Sequence, residues 1–398
     1  MTDVATRPTT VKAGPRPDDY VAAAESLIPL IEAESSKIEE AGRLTERVVD
    51  ALVASGIPWL LVPKDLGGGG GSYVEELGVL EAISYADAST GWSVAAYTVS
   101  PALAGIGLPA DGLAKLYGGE EKTLISGFGI PTGGTARKVE GGYELTGARM
   151  PFGSGTLHTT RVNYPVRVVD DNGEPMFLEN GEPDVRTAYP PTSTVTFHDN
   201  WNVSGLRGSG SGDYEVAAQF IEEDFIYTLD MSRRRKEPQY LWGYWGITYI
   251  FHIGFGLGVL KRAVAEVSKI VEGKARGPIP SLGDYDPFLT EYARHEAQYQ
   301  AVRSYAYSLV AQVESDIEAT GELSEINQAR LGQLATWLHE VGGEIFDFAY
   351  HWAGSQPLRM PSALGRAFRD FKVAQNHLVV DRIWYPGFAK PIIKTWQG

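Results

Sequence analysis

LWGYWGITYIFHIGFGLGVL, residues 241–260, runs for twenty residues without a formal charge. Its reading decides the fold, because a run of this length either crosses a bilayer or lies buried inside a protein. Its five glycines would suit close helix contacts in lipid. Against that, it is the only such run, and the segments beside it are amphipathic. The expectation is a helix covered on all sides by a bundle or a subunit contact.

The rest of the composition agrees with a well-packed globular protein. A length of 398 residues allows two or three compact modules, and 43% hydrophobic with 11% aromatic residues supplies ample core. There is no cysteine, which excludes disulfides, thiolate nucleophiles and cysteine-ligated zinc or iron–sulfur sites, and fits a reducing compartment. The start, MTDVATRPTTVKAGPRPDD, lacks an apolar signal core, so a cytoplasmic protein is expected. A net charge of −15 argues against binding nucleic acid or an anionic membrane. No metal site is expected.

Outward from 241–260 the chain changes character twice. Residues 1–16 read as a disordered tail. Residues 17–120 read as a helical domain, with DDYVAAAESLIPLIEAESSKIEEAGRLTERVVDALVASG amphipathic and ended by Gly56 and Pro58. GGGGGS (67–72) lacks the preceding β-rich run and the Lys-Ser/Thr of a phosphate loop, and reads as a flexible turn before a helix over 73–87. In 121–230 the helical period gives way to short β-branched or aromatic runs such as GGYELTGARM and TSTVTFHD, separated by DDNG, ENGE and GSGSG turns. This predicts a small antiparallel sheet domain. In 231–398 the helical period returns over 240–274, 286–317, 324–352 and 362–383, a four-helix bundle. The class is α+β, mostly α. The stretch RAFRDFKVAQNHLVV (366–380) reads as part of the last helix, with His377 inside it.

Helices, then sheet, then bundle resembles the acyl-CoA dehydrogenase fold. VPKDLGGGGGSYVEELGVLEAISYADASTGW (62–92) looks like the end of that family's N-terminal domain, and WNVSGLRGSGSGDYEV (201–216) resembles the turn closing its β domain. Within the superfamily, residues 124–160 and 353–377 resemble the oxygenase components of two-component flavin-dependent (group D) monooxygenases. The resemblance implies reduced FMN or FAD supplied by a separate flavin reductase. With O2 as co-substrate, it would act through a C4a-hydroperoxyflavin to hydroxylate a small aromatic or heteroaromatic compound. Alternatives from the same superfamily are an amino-sugar N-oxygenase and an acyl-CoA dehydrogenase proper. No G-x-G-x-x-G follows a strand, so no nicotinamide site is visible, in keeping with a separate reductase. A homotetramer is expected, because a lone bundle should not bury every side of 241–260.

The resemblance also distributes roles. Aligned on Arg369-Asp370, the glutamate that dehydrogenases use as a base falls on Leu378, and a leucine cannot remove a proton. His377 matches the histidine that hydroxylases hold beside the flavin, where a group titrating near neutral pH would serve. Ser154 matches a serine that meets the flavin edge, able to accept and to donate. Phe152 is expected on the same face of that strand. Ser126 matches a second flavin-side serine, and Trp92 an aromatic near the cofactor. Arg276 resembles the arginine that pairs with a flavin phosphate across a subunit boundary. Arg369 and Asp370 read as a structural ion pair. Ser100 stands where hydroxylases often carry a second histidine.

Overall fold

Asp19 accepts the Ala22 N–H at 2.9 Å and opens helix α1 (Tyr20–Ala41), which left-handed Gly42 closes. The expected single amphipathic run is thus two helices, α1 and α2 (Glu46–Ser55), the second ended by left-handed Gly56 before Pro58 starts a tight turn. The glycine run that follows is packed, not flexible. Gly70 and Gly71 donate their N–H groups to Val62 and Leu60 at 2.8 and 2.9 Å, and a Cβ on Gly68 would lie 2.4 Å from the Val62 side chain. Ser72 and Glu75 form a capping box for α3 (Tyr73–Ala86), and Asp87 caps α4 (Ala88–Gly107) through Thr90. A short α5 (Ala110–Tyr117) leads to the sheets.

This computed structural model describes residues 10–228 and 235–397. Of the stretch expected to be a disordered tail, residues 1–9 lie outside the described residues. Val11–Lys12 (β1) is no tail: it pairs with Glu121–Lys122 (β2). The remaining strands are β3 (Ile125–Ser126), β4 (Thr135–Val139), β5 (Gly142–Leu145), β6 (Ala148–Met150), β7 (Arg161–Val162), β8 (Tyr164–Val169), β9 (Val185–Ala188), β10 (Val195–Phe197), β11 (Tyr214–Val216), β12 (Gln219–Glu222) and β13 (Ile226–Thr228). They form a six-stranded sheet in the order β12-β5-β4-β8-β9-β13, a three-stranded sheet β10-β11-β6 and the pair β3-β7. Pairing is antiparallel except for β4 with β8 and β3 with β7.

The helices return as α6 (Gly243–Val271), α7 (Asp286–Thr320), α8 (Glu325–Ala353) and α9 (Ala363–Ala374), followed by α10 (Tyr385–Lys394). From Gly243 on, the apolar run 241–260 forms the first part of α6, packed against α3 on one side and α8 on the other. Its glycines allow that approach: a Cβ on Gly258 would sit 2.3 Å from the Glu81 carbonyl, and one on Gly256 2.1 Å from Leu338. Ile247, Ile250, Ile253, Phe255, Leu257 and Val259 are therefore buried within one chain. The argument for a homotetramer from this helix loses its premise. Among the described residues, no helix is long and apolar enough to cross a membrane.

The expected helix over 362–383 is the clearest correction. α9 stops at Ala374, and His377 lies beyond it in extended conformation, capping a tight turn over Leu378–Val380. The helix is unwound by local competition. The Asn376 side chain takes the Lys372 carbonyl at 2.8 Å, the Gln375 side chain reaches across to the His339 carbonyl on α8, and β-branched Val379 and Val380 follow.

Candidate active site

The chain brings α4, α6, α8, the end of α9 and the loop after β6 to one place, centred on Trp92. The Trp92 indole N–H donates to Ser154 Oγ at 3.0 Å, and its ring lies 5.7 Å from His377 and 5.5 Å from His252, edge to face. Phe251 and Phe255 complete its surroundings at 4.7 and 5.0 Å. Trp92 thus links a hydroxyl side to an imidazole side.

On the hydroxyl side, Ser154 and Phe152 do not share a strand face, as the sequence suggested. β6 ends at Met150, and the chain turns so tightly that Phe152 takes φ 55°, a left-handed conformation costly for a bulky residue. This throws its ring outward, 57% exposed, towards Phe128 and Trp201 at 6.1 and 6.3 Å. Gly155 follows at φ 69°, its carbonyl taking the Tyr97 hydroxyl at 3.0 Å. Ser126, fully buried on β3, donates to the Ser154 carbonyl, so it supports the loop from behind and does not face the site. Behind Ser154 lie Ser211 at 2.8 Å and Ser209 at 2.7 Å from Ser211, neither singled out by the sequence.

On the imidazole side, His377 Nδ1 accepts the Val379 N–H at 3.3 Å, which puts the proton of the neutral ring on Nε2. His252 on α6 lies 4.6 Å from His377, ring to ring, and His339 on α8 lies 5.5 Å beyond it. His339 Nδ1 donates to the Ala335 carbonyl at 2.8 Å. Its Nε2, and both nitrogens of His252, are buried without a hydrogen-bond partner among the described residues. Burial pushes His377 and His339 down to about 4 and His252 well below the usual imidazole range. The sequence-based expectation that His377 titrates near neutral pH is therefore corrected: at pH 7 all three rings are neutral, and His377 is a hydrogen-bond donor through Nε2. Among the described residues no group of three or more His, Asp or Glu side chains is placed to hold a metal ion.

Other expected residues fall elsewhere. Arg276 lies at the far end of α6, exposed, with Nη1 3.3 Å from the His351 carbonyl and its guanidinium 5.7 Å from the Trp352 ring. His351 is twelve residues along α8 from His339, about 18 Å of helix, so one chain does not bring Arg276 to the site. Ser100 is buried and occupied: it donates to the Ala96 carbonyl at 3.1 Å and accepts from Asn163 at 3.2 Å. Arg369 and Asp370 are not paired with each other. Arg369 reaches Glu39, while Asp370 accepts the Leu206 N–H at 2.6 Å beneath the Ser209–Ser211 turn. Leu378 is 48% exposed hydrocarbon next to His377.

The arrangement matches known proteins along its length. Residues 23–110 match the acyl-CoA dehydrogenase N-terminal domain and residues 250–382 its C-terminal domain, together more than half of the chain. The chain belongs to the acyl-CoA dehydrogenase family. Within that family it is similar to the indole-3-acetate monooxygenase of Pseudomonas putida, 27% identical over 357 residues that cover 89% of this chain and 88% of that one. Its fold is that of the HsaA monooxygenase from M. tuberculosis (TM-score 0.84, 20% identity, 94% and 97% of the two chains). It is likewise that of XiaF from Streptomyces sp. in complex with FADH2 and glycerol (TM-score 0.83, 20% identity, 93% and 94%).

Proposed function

We propose that this chain is the oxygenase component of a two-component flavin-dependent monooxygenase. It takes reduced FMN or FAD from a separate reductase and uses O2 to hydroxylate a small aromatic or heteroaromatic compound. The observation that carries the reading is the pairing, across Trp92, of a neutral imidazole and a serine hydroxyl beside Leu378, where a dehydrogenase needs a carboxylate. The residues suit a flavin: apolar faces at Phe152 and Leu378 for a flat ring, and polar edges at Ser154 Oγ and His377 Nε2. A reduced flavin bound there supplies the activation of oxygen. The protein's part is to position and to protect. His377, neutral above about pH 4, holds its Nε2 proton against a developing or bound oxygen atom. Trp92, Phe251 and Phe255 supply buried or half-buried hydrocarbon on the protein side, while the exposed Phe152 and Leu378 would be covered by a flat ring bound between them.

A cytoplasmic location and a homotetramer stay in the proposal, the homotetramer on new grounds. The chain after the site exposes Ile383, Ile393 and Trp396, the last 86% exposed, an apolar surface suited to a second copy. Such an assembly would also give Arg276 a partner subunit's flavin phosphate to meet. Sedimentation at micromolar concentration tests it, and a stable monomer would count against it.

The decisive experiment mixes protein, reduced FMN or FAD and indole-3-acetate with oxygen in a single turnover. A second arm adds acyl-CoAs to oxidised flavin and protein without oxygen. Oxygenated product in the first arm and unbleached flavin in the second are expected. Anaerobic bleaching by an acyl-CoA at a useful rate would overturn the assignment.

A further inference from the structure

The serines behind Ser154 form a chain whose protons have only one consistent order. Ser209 Oγ lies 2.7 Å from the Leu206 carbonyl, which also accepts the Trp201 indole N–H at 2.9 Å. Two oxygens at that separation need a proton between them, and a carbonyl has none to give, so Ser209 donates. A hydroxyl owns one proton. The 2.7 Å contact between Ser209 and Ser211 is therefore donated by Ser211, and the 2.8 Å contact between Ser211 and Ser154 by Ser154. Trp92 can only donate, and it fills one of the two Ser154 lone pairs at 3.0 Å. Ser154 is half-buried, while Ser209 and Ser211 are buried, so water does not reset the order from behind. What remains on Ser154 is a single lone pair.

We propose that Ser209 and Ser211 are specificity-determining residues that lock Ser154 as an acceptor, so that the site prefers a ligand bringing its own proton. For a flavin, that ligand is the reduced ring, whose N5 carries a hydrogen where the oxidised ring has a lone pair. The inference rests on the flavin reading above and adds its redox preference. Leu206 anchors the order, held at φ 52° with its N–H on Asp370 at 2.6 Å, so the carbonyl that ends the chain is fixed from outside the site.

The test is anaerobic titration of wild-type protein, Ser211→Ala and Ser209→Ala with oxidised and with reduced FMN and FAD. Wild type is expected to hold the reduced form more tightly. In Ser211→Ala the Ser154 proton is freed to turn towards the ligand, and the reduced-to-oxidised affinity ratio should fall about tenfold, the weight of one hydrogen bond. The same change appears as a fall of the bound flavin's midpoint potential by about 30 mV per tenfold. Thermal unfolding with near-UV circular dichroism shows which variant keeps the native fold, and Ser209→Ala serves if Ser211→Ala does not. Failure of wild type to bind either form would sink the flavin reading itself. Binding of both forms with a ratio near one, or a ratio unchanged in a folded variant, would overturn the proton-order proposal alone.

Discussion

The two sides of the site about Trp92 are built on opposite rules. On the hydroxyl side every proton is spoken for, from Trp92 through Ser154, Ser211 and Ser209 to the Leu206 carbonyl. On the imidazole side His252 is fully buried with both nitrogens unpaired among the described residues, next to a His339 whose Nε2 is unpaired among them too. A satisfied chain is rigid and contributes stability. An unpaired buried nitrogen costs about 1–3 kcal/mol and persists where something other than stability retains it. The difference teaches that one side is built to hold still and the other to interact.

The sharpest way to break the comparison is His377→Ala. Product per reduced flavin is expected to fall about 100-fold or more, with hydrogen peroxide rising in its place and flavin affinity little changed. Product and peroxide assays on the same turnover decide it; unchanged coupling would make His377 structural. His252→Phe keeps a ring against Phe251 and Trp92 but removes the unpaired nitrogens. It should raise stability by about 1–3 kcal/mol at neutral pH, measured by urea unfolding. The sign with pH is fixed. An imidazole whose folded pKa is depressed leaves the unfolded chain holding more protons, so stability is whole above about 6.5 and is lost as pH falls towards the folded value. The advantage of His252→Phe should therefore widen below pH 6.5, and a constant gap down to pH 5 would refute the neutral, unpaired ring.

Trp92→Phe tests the hydroxyl side. It removes the indole N–H that donates to the Ser154 hydroxyl and should cost about 1–2 kcal/mol of stability in the same assay, with no added dependence on acid. An acid-dependent loss would mean that the two sides are not separate. The smallest effect belongs to Arg276→Ala. Being exposed, it should shift stability by less than about 0.5 kcal/mol. A fall of flavin affinity in the assembled protein would assign it to a phosphate across a subunit contact, and unchanged affinity would remove that role.

Much of the architecture was legible because period is a local property: helical spacing gives way to β-branched runs near residue 121 and returns after 240. Placement of single residues was less so. His252 sits in the apolar run that marks α6 as buried, and nothing local distinguishes a histidine there from a packed ring; its neighbours come from α4, α8 and the chain beyond α9. Ser209 and Ser211 looked like turn filler, since GSGSG is also a flexible linker. Phe152 was misplaced because its left-handed backbone is imposed by the loop and the turn after Leu206, not by its own sequence. The end of α9 was missed because the apolar spacing runs on through Leu378, while the competing amide bonds of Gln375 and Asn376 are invisible to a count of apolar positions.

The bond from Asp370 to Leu206 joins residues 164 positions apart, and beside it Arg366 reaches Ser35 across 331 and approaches Asp87 at 3.5 Å. All three close long loops, and the entropy of closure must be met before they return anything. The turn holding Ser209 and Ser211 is therefore expected to order late, once α9 has docked. A chain in which α9 has not yet docked would lack the contact that fixes Leu206, and with it both the order of the hydroxyls and the placement of His377.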